Sequence, residues 1–260
     1  LEKLAKPGDA HALDALFALD MLDAVDSTRA AECLKHPDPY IRRWAVKIVG
    51  EKGAAWADCA APLAALAQAE EHLEVRAQLL ATAKRLPAAV GLPLLRAAER
   101  PVPAEETHLP LLAWWALESK CGTDPGLVLS FIENQGAFVG SPVFKEHLVQ
   151  RLGQRLAAGG VDAEIQTCAK LWERLPEGPL REKLVAGVAA AFEGTEIPRL
   201  PEVLARALRS HLETSSGGVL VSALRSGEAG AVQAALKLLA DAKAKTPERI
   251  AVANGLAALG

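Results

Sequence analysis

Apolar residues recur along this chain in short stripes of helical spacing, and the stripes themselves recur about every 34 residues. The clearest stripe lies within 39–50, where the spacing i, i+3, i+4, i+7, i+8 is that of one face of an α-helix. Its members are Ile41, Trp44, Ala45, Ile48 and Val49. A similar polar loop, apolar residue and arginine open the window 69–87. The pattern therefore predicts amphipathic helices arranged as an internal repeat.

Seven aligned apolar positions mark the predicted units. The spacings between them are 34, 34, 35, 36, 39 and 31 residues. The positions are Ile41, Val75, Leu109, Phe144, Leu180, Val219 and Ile250. Such drift is normal in solenoids because their loops absorb insertions, so we predict about seven units.

Each unit is predicted to hold two helices. In the first complete unit an outer helix spans 27–36 and an inner helix spans 39–50, with Ser27 and Asp38 as their N-caps. Proline and glycine punctuate nearly every later junction. The later outer helices are centred on 63–69, 90–98, 127–133, 165–175, 203–212 and 232–242.

A helix pair of this size cannot bury its apolar face alone, so neighbouring pairs must stack into a continuous core. The composition agrees, because 51 Ala and 40 Leu outnumber 18 Val and 6 Ile, and the first two are strong helix formers. We predict an all-α fold, an α-solenoid of about seven stacked antiparallel helix pairs.

No linker separates domains, which favours a single repeat domain over 1–260. The start at Leu1 suggests a piece of a larger multidomain protein.

The net charge and the cysteines argue against several classes of function. The net charge of −3 and the lack of a basic block give no sign of a nucleic-acid site, and no apolar run approaches the ~20 residues of a membrane span. The four cysteines form no CxxC pair, which excludes zinc knuckles and haem attachment in this segment. We expect them to be buried as small hydrophobic residues rather than joined as disulfides.

Residues 38–46, Asp-Pro-Tyr-Ile-Arg-Arg-Trp-Ala-Val, resemble the inner-helix signature of HEAT repeats. The resemblance implies a structural ladder in which the arginine pairs with a nearby aspartate, here Asp38 with Arg42. Arg76 follows Val75 in the same way, whereas Pro110 replaces the arginine in the third unit. These residues are expected to have structural roles.

Residues 9–120 carry a more particular resemblance. The succession HALDALFAL, DPYIRRWAV, LEVRAQLLA and HLPLLAWWALE is similar to the HEAT segment of large exported bacterial proteins. Those proteins carry a sugar-dehydrogenase-like β-propeller before the repeats and a haem c domain after them. The resemblance implies a periplasmic or cell-envelope location and a non-catalytic scaffold that spaces or docks redox domains. It carries over no catalytic residue and no cofactor to this segment.

The candidates for chemistry are few. His36, His72 and His108 precede three successive inner helices, but helices stacked ~8–10 Å apart cannot bring three such loops to one metal ion. Solvated loop ends are the preferred interpretation. The sequence contains no GxSxG, GxGxxG, P-loop or HExxH motif, so the segment is not expected to be an enzyme or to bind a small-molecule substrate.

Adjacent tryptophans supply the one candidate interaction surface. Neighbouring helical residues point about 100° apart, so Trp114 and Trp115 cannot both enter one core. The hypothesis is a strip on the inner face formed by Arg43, Lys47, Leu111 and Trp115, which would bind a protein or a flanking domain. The favoured alternative is that Trp115 packs on the neighbouring repeat.

A second class of function stays open. HEAT-like DNA glycosylases place aromatic residues and a carboxylate on a concave basic surface, so a DNA-binding or glycosylase-type solenoid is the alternative reading. The slightly negative charge and the scattered arginines of the inner helices argue against it.

Overall fold

The computed structural model describes residues 11–193, 197–214 and 218–259. Within these ranges helices are the only regular secondary structure, which confirms the all-α prediction. The chain divides into two compact units, Leu1–Leu148 and Val149–Gly260, and each is described by itself. The single domain over 1–260 stays a prediction.

The first unit is built from nine helices in its described residues, together with two 3₁₀ segments, Gly53–Cys59 and Leu95–Ala98, and a π-helical segment, Phe144–Leu148. The helices are α1 (Ala12–Met21), α2 (Ser27–Cys33), α3 (Pro39–Lys52), α4 (Ala60–Ala69), α5 (Leu73–Arg85), α6 (Ala88–Leu94), α7 (His108–Cys121), α8 (Pro125–Asn134) and α9 (Gly136–Gly140).

Two short polar side chains set where α2 and α3 begin. The Asp38 carboxylate accepts the Tyr40 N–H at 2.8 Å, which confirms Asp38 as the N-cap of α3. The N-cap of α2 is Asp26, whose carboxylate accepts the Arg29 N–H at 2.7 Å. The prediction of Ser27 was wrong, because its hydroxyl donates to Asp58 at 2.6 Å and is not used as a cap.

The long helices of the first unit pack in sequence. α3 packs against α5 and α5 against α7, while α4 packs against α6 and α6 against α8. The aligned residues Ile41, Val75 and Leu109 occupy equivalent buried positions, exposed by 2%, 0% and 1%. The 34-residue spacing thus places a buried residue at the corresponding position of α3, α5 and α7.

The second unit contains seven helices in its described residues. They are α10 (Val149–Ala158), α11 (Asp162–Arg174), α12 (Pro179–Ala191), α13 (Glu202–Thr214), α14 (Gly218–Arg225), α15 (Ala231–Ala240) and α16 (Thr246–Ala257). Helices α4, α6, α8, α11, α13 and α15 lie where the later outer helices were predicted.

Glycines bring α10 and α12 into close contact. A Cβ atom added at Gly153 would overlap the Leu184 carbonyl, and one added at Gly187 would overlap the Gln150 carbonyl. Each helix therefore places a glycine against the backbone of the other. This reciprocal arrangement fixes where the two helices cross.

The last three helices, α14 to α16, share a small core. It contains Val221, Leu224, Ala231, Ala235 and Val252. The aligned position predicted for α16 was Ile250, but Ile250 is 56% exposed and Val252 is fully buried. The register of the predicted stripe was therefore wrong by two residues at this end of the chain.

Across the described residues, no helix combines the length and the apolar character needed to cross a membrane. All four cysteines are buried and none forms a disulfide, as the sequence predicted. Burial raises the pKa of Cys168 to about 12 and also raises the pKa of Cys33 and Cys59. A neutral, buried thiol is a poor nucleophile.

Candidate functional site

Arg42, the first arginine of α3, bridges two loops. Arg42 Nε and Nη2 donate to the Glu70 carboxylate at 2.7 and 2.9 Å, and its Nη1 donates to the His36 and Pro37 carbonyls at 2.8 Å. Its ion-pair partner is thus Glu70, 28 residues further on, while Asp38 caps α3. The arginine joins the loop before α3 to the loop before α5.

Glu70 is the acceptor on which this junction depends. Its side chain is only 3% exposed, and it also accepts the N–H groups of Glu71 and His72. Burial alone would raise its pKa, but the Arg42 guanidinium and these N–H groups outweigh burial and hold the pKa below its ordinary value. Glu70 is therefore a charged, fully satisfied anchor for the start of α5.

Other buried cations satisfy the ends of neighbouring helices. Arg76 donates to the Ala97, Arg100 and Pro101 carbonyls, and Lys120 donates to the Lys84 and Leu86 carbonyls at 2.9 and 2.7 Å. Burial lowers the pKa of both Arg76 and Lys120. The carbonyls at the C-terminus of a helix have no hydrogen-bond donors within their own helix. These cations donate hydrogen bonds to them.

Sequence reasoning missed two members of this group. Arg181 donates to the Leu175 and Glu173 carbonyls in the same way, and Lys120 is a buried cation that no motif announced. The signal for Arg181 was present, because it follows the aligned Leu180 as Arg42 follows Ile41. Lys120 lay in a polar stretch at the end of α7 and had no such signal.

The three loop histidines lie in different surroundings. His36 is only 7% exposed and its Nδ1 accepts the Asp38 N–H at 3.0 Å, so its prediction as a solvated loop end was wrong. His72 is half-buried, with its ring centre 5.7 Å from that of Tyr40, whereas His108 is exposed. Among the described residues, no three His, Cys, Asp or Glu side chains are placed to hold a metal ion.

The predicted interaction strip falls on two helices. Arg43 and Lys47 lie one turn apart on α3, and Leu111 and Trp115 lie one turn apart on α7. α5 contacts both helices, and it meets the strip through two pairs: Arg43 with Glu74 at 3.6 Å, and Trp115 with Lys84 at 5.4 Å from the ring centre. Together these residues form what we call the α3–α5–α7 face.

Trp115 combines exposure with a local contact. It is 41% exposed even though the Lys84 ammonium lies over its ring. Leu111 beside it is half-buried. The residue thus touches the neighbouring helix and still offers a large part of its indole to solvent.

A second exposed aromatic lies on α3. Tyr40 is 51% exposed and precedes Arg43 by one turn, which places it on the same side of the helix as Lys47. The strip hypothesised from the sequence did not include Tyr40.

The cations of this face have nearby carboxylates. Lys47 Nζ lies 2.7 Å from Glu51 and 4.4 Å from the Trp44 ring centre, and Arg43 lies beside Glu74. These pairs are substantially exposed, so each contributes little to stability. The face is therefore a mixture of aromatic, cationic and anionic groups.

The second unit has a groove of about 1010 Å³ between α11, α12 and α13. Its wall includes Trp172, whose ring lies 4.6 Å from the Arg181 guanidinium, and exposed Arg206. Arg206 pairs with Glu202 at 3.3 Å, and Arg181 is held by the α11 carbonyls. The cations of this groove already have protein partners.

Comparison with known proteins returned nothing for this chain: no family model, no curated protein and no solved structure matches it. The class that the structure defines is an all-helical protein.

Proposed function

We propose that this chain is a HEAT-type scaffold, a solenoid of about seven helix pairs whose α3–α5–α7 face docks another protein surface. The occupant that the sequence resemblance favours is a redox domain: a propeller-type dehydrogenase or a haem c domain of an exported bacterial protein. The segment positions its partner and performs no chemistry of its own.

The repeat part of the proposal is supported by packing in the first unit. Successive inner helices contact one another in order, and the aligned residues Ile41, Val75 and Leu109 are all buried. Buried cations tie the loops together: Arg42 joins one loop to the next, and Arg76 reaches forward to the carbonyls after α6. Repeated units that bury a common stripe against their neighbours are the general construction of solenoids.

The docking part rests on one observation, the 41% exposed Trp115 on α7. Tryptophan, tyrosine and arginine are the residues that most often dominate protein interfaces. The face offers all three, as Trp115, Tyr40 and Arg43. Its charges alternate in sign, which suits a protein partner with complementary charges.

The DNA-binding alternative requires a basic surface. Arg43 and Lys47 each lie beside a glutamate, which favours a protein partner over the phosphate backbone. A titration with duplex DNA at two salt concentrations separates the two functions. Affinity that falls steeply with salt would favour the nucleic-acid function and contradict the scaffold proposal.

The direct test is the affinity of the chain for a haem c domain and for a propeller dehydrogenase domain from the same organism, measured by calorimetry. Trp115→Ala is expected to weaken binding by about 30-fold, because an interface tryptophan contributes ~2 kcal/mol or more. Leu236→Ala on α15 is the matched control, since Leu236 is 55% exposed and belongs to the second unit. Binding of neither domain, or an equal change in both variants, would contradict the proposal.

A further inference from the structure

The solvent side of α5 carries its shortest side chains in the middle. This side is formed by Glu74, Ala77, Gln78, Ala81, Lys84 and Arg85. The charged side chains lie at the two ends, and the alanines lie between them. The Gln78 amide donates to the Thr82 hydroxyl of the same helix at 3.3 Å, so this side chain lies along α5. The middle of this surface is therefore low.

Longer side chains flank the two alanines. α5 contacts both α3 and α7, and the 34-residue spacing gives each alanine an equivalent residue on each of these helices. The equivalent residues are Arg43 and Leu111 for Ala77, and Lys47 and Trp115 for Ala81. The alanines thus form the floor of a trough along α5, and the four longer side chains form its walls.

The trough is wide enough for one α-helix. Stacked helices lie ~8–10 Å apart, which places the axes of α3 and α7 about 16–20 Å from each other across α5. An α-helix with its side chains is ~10–12 Å in diameter, so it fits between the walls. A flat sheet would instead rest on the walls and leave the alanine floor uncovered.

The two walls differ in chemistry. The α3 wall is cationic: Arg43 is 46% exposed, and its pairing with the exposed Glu74 at 3.6 Å is weak enough to yield to a carboxylate of a partner. The α7 wall is apolar, with Trp115 exposed by 41% and Leu111 half-buried. The carboxylates on these three helices near the trough lie in their first or last turns, at Glu51, Glu74 and Glu118. The middle of the trough therefore has cations on one side and apolar groups on the other.

We propose that an amphipathic α-helix of the partner lies along α5 in this trough. Its acidic side faces Arg43 and Lys47, and its apolar side packs on Leu111 and Trp115. Apolar anchors from one side of a helix, placed in a groove, are a general mode of recognition. The inference rests on the docking function proposed above and names the element of the partner that docks.

The test is titration of the full chain, followed by fluorescence anisotropy, with a hydrocarbon-stapled helical peptide of about the length of α5. The peptide carries leucines on one side and glutamates on the adjacent side, and a comparison peptide has lysine at every glutamate position. The acidic peptide is expected to bind saturably and at least about tenfold more tightly than the basic one, because like charges would face each other across the α3 wall in the second complex. In the double variant Arg43→Gln, Lys47→Gln this preference should disappear.

A further variant tests the floor of the trough. Ala81→Gln adds bulk there without adding charge, so it should weaken binding of the acidic peptide at least about tenfold. Ala234→Gln on α15 is the matched control, since Ala234 is exposed and belongs to the second unit. Circular dichroism and melting temperature verify that the variants fold.

The outcomes separate this inference from the docking function. Acidic-peptide binding that does not saturate, equal affinity for the two peptides, or an unchanged affinity in Ala81→Gln would overturn the helix proposal. If a redox domain nevertheless binds in a Trp115-dependent way, the docking function stands without it. Peptide binding that follows the pattern above supports the trough even where neither redox domain binds.

Discussion

Two neighbouring arginines on α3 differ in what they contribute. Arg42 is 17% exposed and makes four hydrogen bonds, two of them to the nearly buried Glu70, whereas Arg43 is 46% exposed and lies 3.6 Å from the exposed Glu74. Solvent screens the second pair and leaves the first largely unscreened. Burial, and not residue type, decides which arginine holds the fold together.

Replacing Arg42 with alanine is therefore expected to lower the free energy of unfolding by about 3 kcal/mol. The loss arises because the Glu70 carboxylate stays buried without its cation and two loop carbonyls lose their donor. Urea denaturation followed by far-UV circular dichroism measures the change.

Arg43→Ala is the control for that substitution, and its effect should stay below about 0.5 kcal/mol. The two variants remove the same side chain from adjacent positions of one helix. Equal losses of stability in both would contradict the structural role assigned to the Arg42–Glu70 pair.

At the scale of the helix, glycine has opposite effects at different positions. Gly187 lies where α12 meets the Gln150 carbonyl of α10, while Gly126 in the first turn of α8 has nothing within 4 Å of an added Cβ. Alanine has a higher helix propensity than glycine, so a glycine within a helix lowers the stability of that helix. Such a glycine is useful only where the packing leaves no room for a methyl group. Packing requires it at Gly187.

Gly187→Ala is expected to destabilise the protein by about 2 kcal/mol, because overlap of the new methyl group with the α10 backbone outweighs the gain in helix propensity. Thermal denaturation provides the measurement. Gly126→Ala is the matched control and should be neutral or stabilising by up to about 1 kcal/mol. A Gly187→Ala variant as stable as the unchanged chain would show that the two helices can move apart freely.

The positions of most helices could be predicted from the sequence, since apolar stripes and proline or glycine junctions are local signals. The N-cap of α2 was missed because Asp26 and Ser27 are both good caps, and the contact that occupies Ser27 comes from Asp58, far along the chain. The stripe of α16 was shifted because the drifting spacing allowed either Ile250 or Val252. Local sequence patterns therefore predict where a helix lies. Contacts with distant residues decide its exact first residue and which of its residues are buried.

The candidate sites were less predictable. Trp115 and its neighbours on α3 and α7 followed from the repeat alignment, but the pairing of Arg42 with Glu70 did not, because it crosses 28 residues and two loops. The burial of Arg225 at the end of α14 had no sequence signal, since an arginine at a helix end is ordinary. Only the packing around it shows that its Nε and Nη1 atoms are buried and have no hydrogen-bond partner.

At the scale of the whole molecule, the proposed function belongs to a docking surface. The observations that support it are the Arg42–Glu70 pair, which joins the loop before α3 to the loop before α5, and the exposed aromatics of the α3–α5–α7 face. Both suit a scaffold that presents one surface to a partner.

The most direct measurement is photo-crosslinking from position 115. The chain is produced with p-benzoylphenylalanine in place of Trp115, or in place of exposed Leu236 as the control, together with the haem c and propeller domains. If the α3–α5–α7 face docks a redox domain, position 115 should crosslink to one of these domains, excess unchanged chain should suppress that crosslink, and position 236 should give none. Equal crosslinking from both positions, or none from position 115, would contradict the docking of a redox domain by this face.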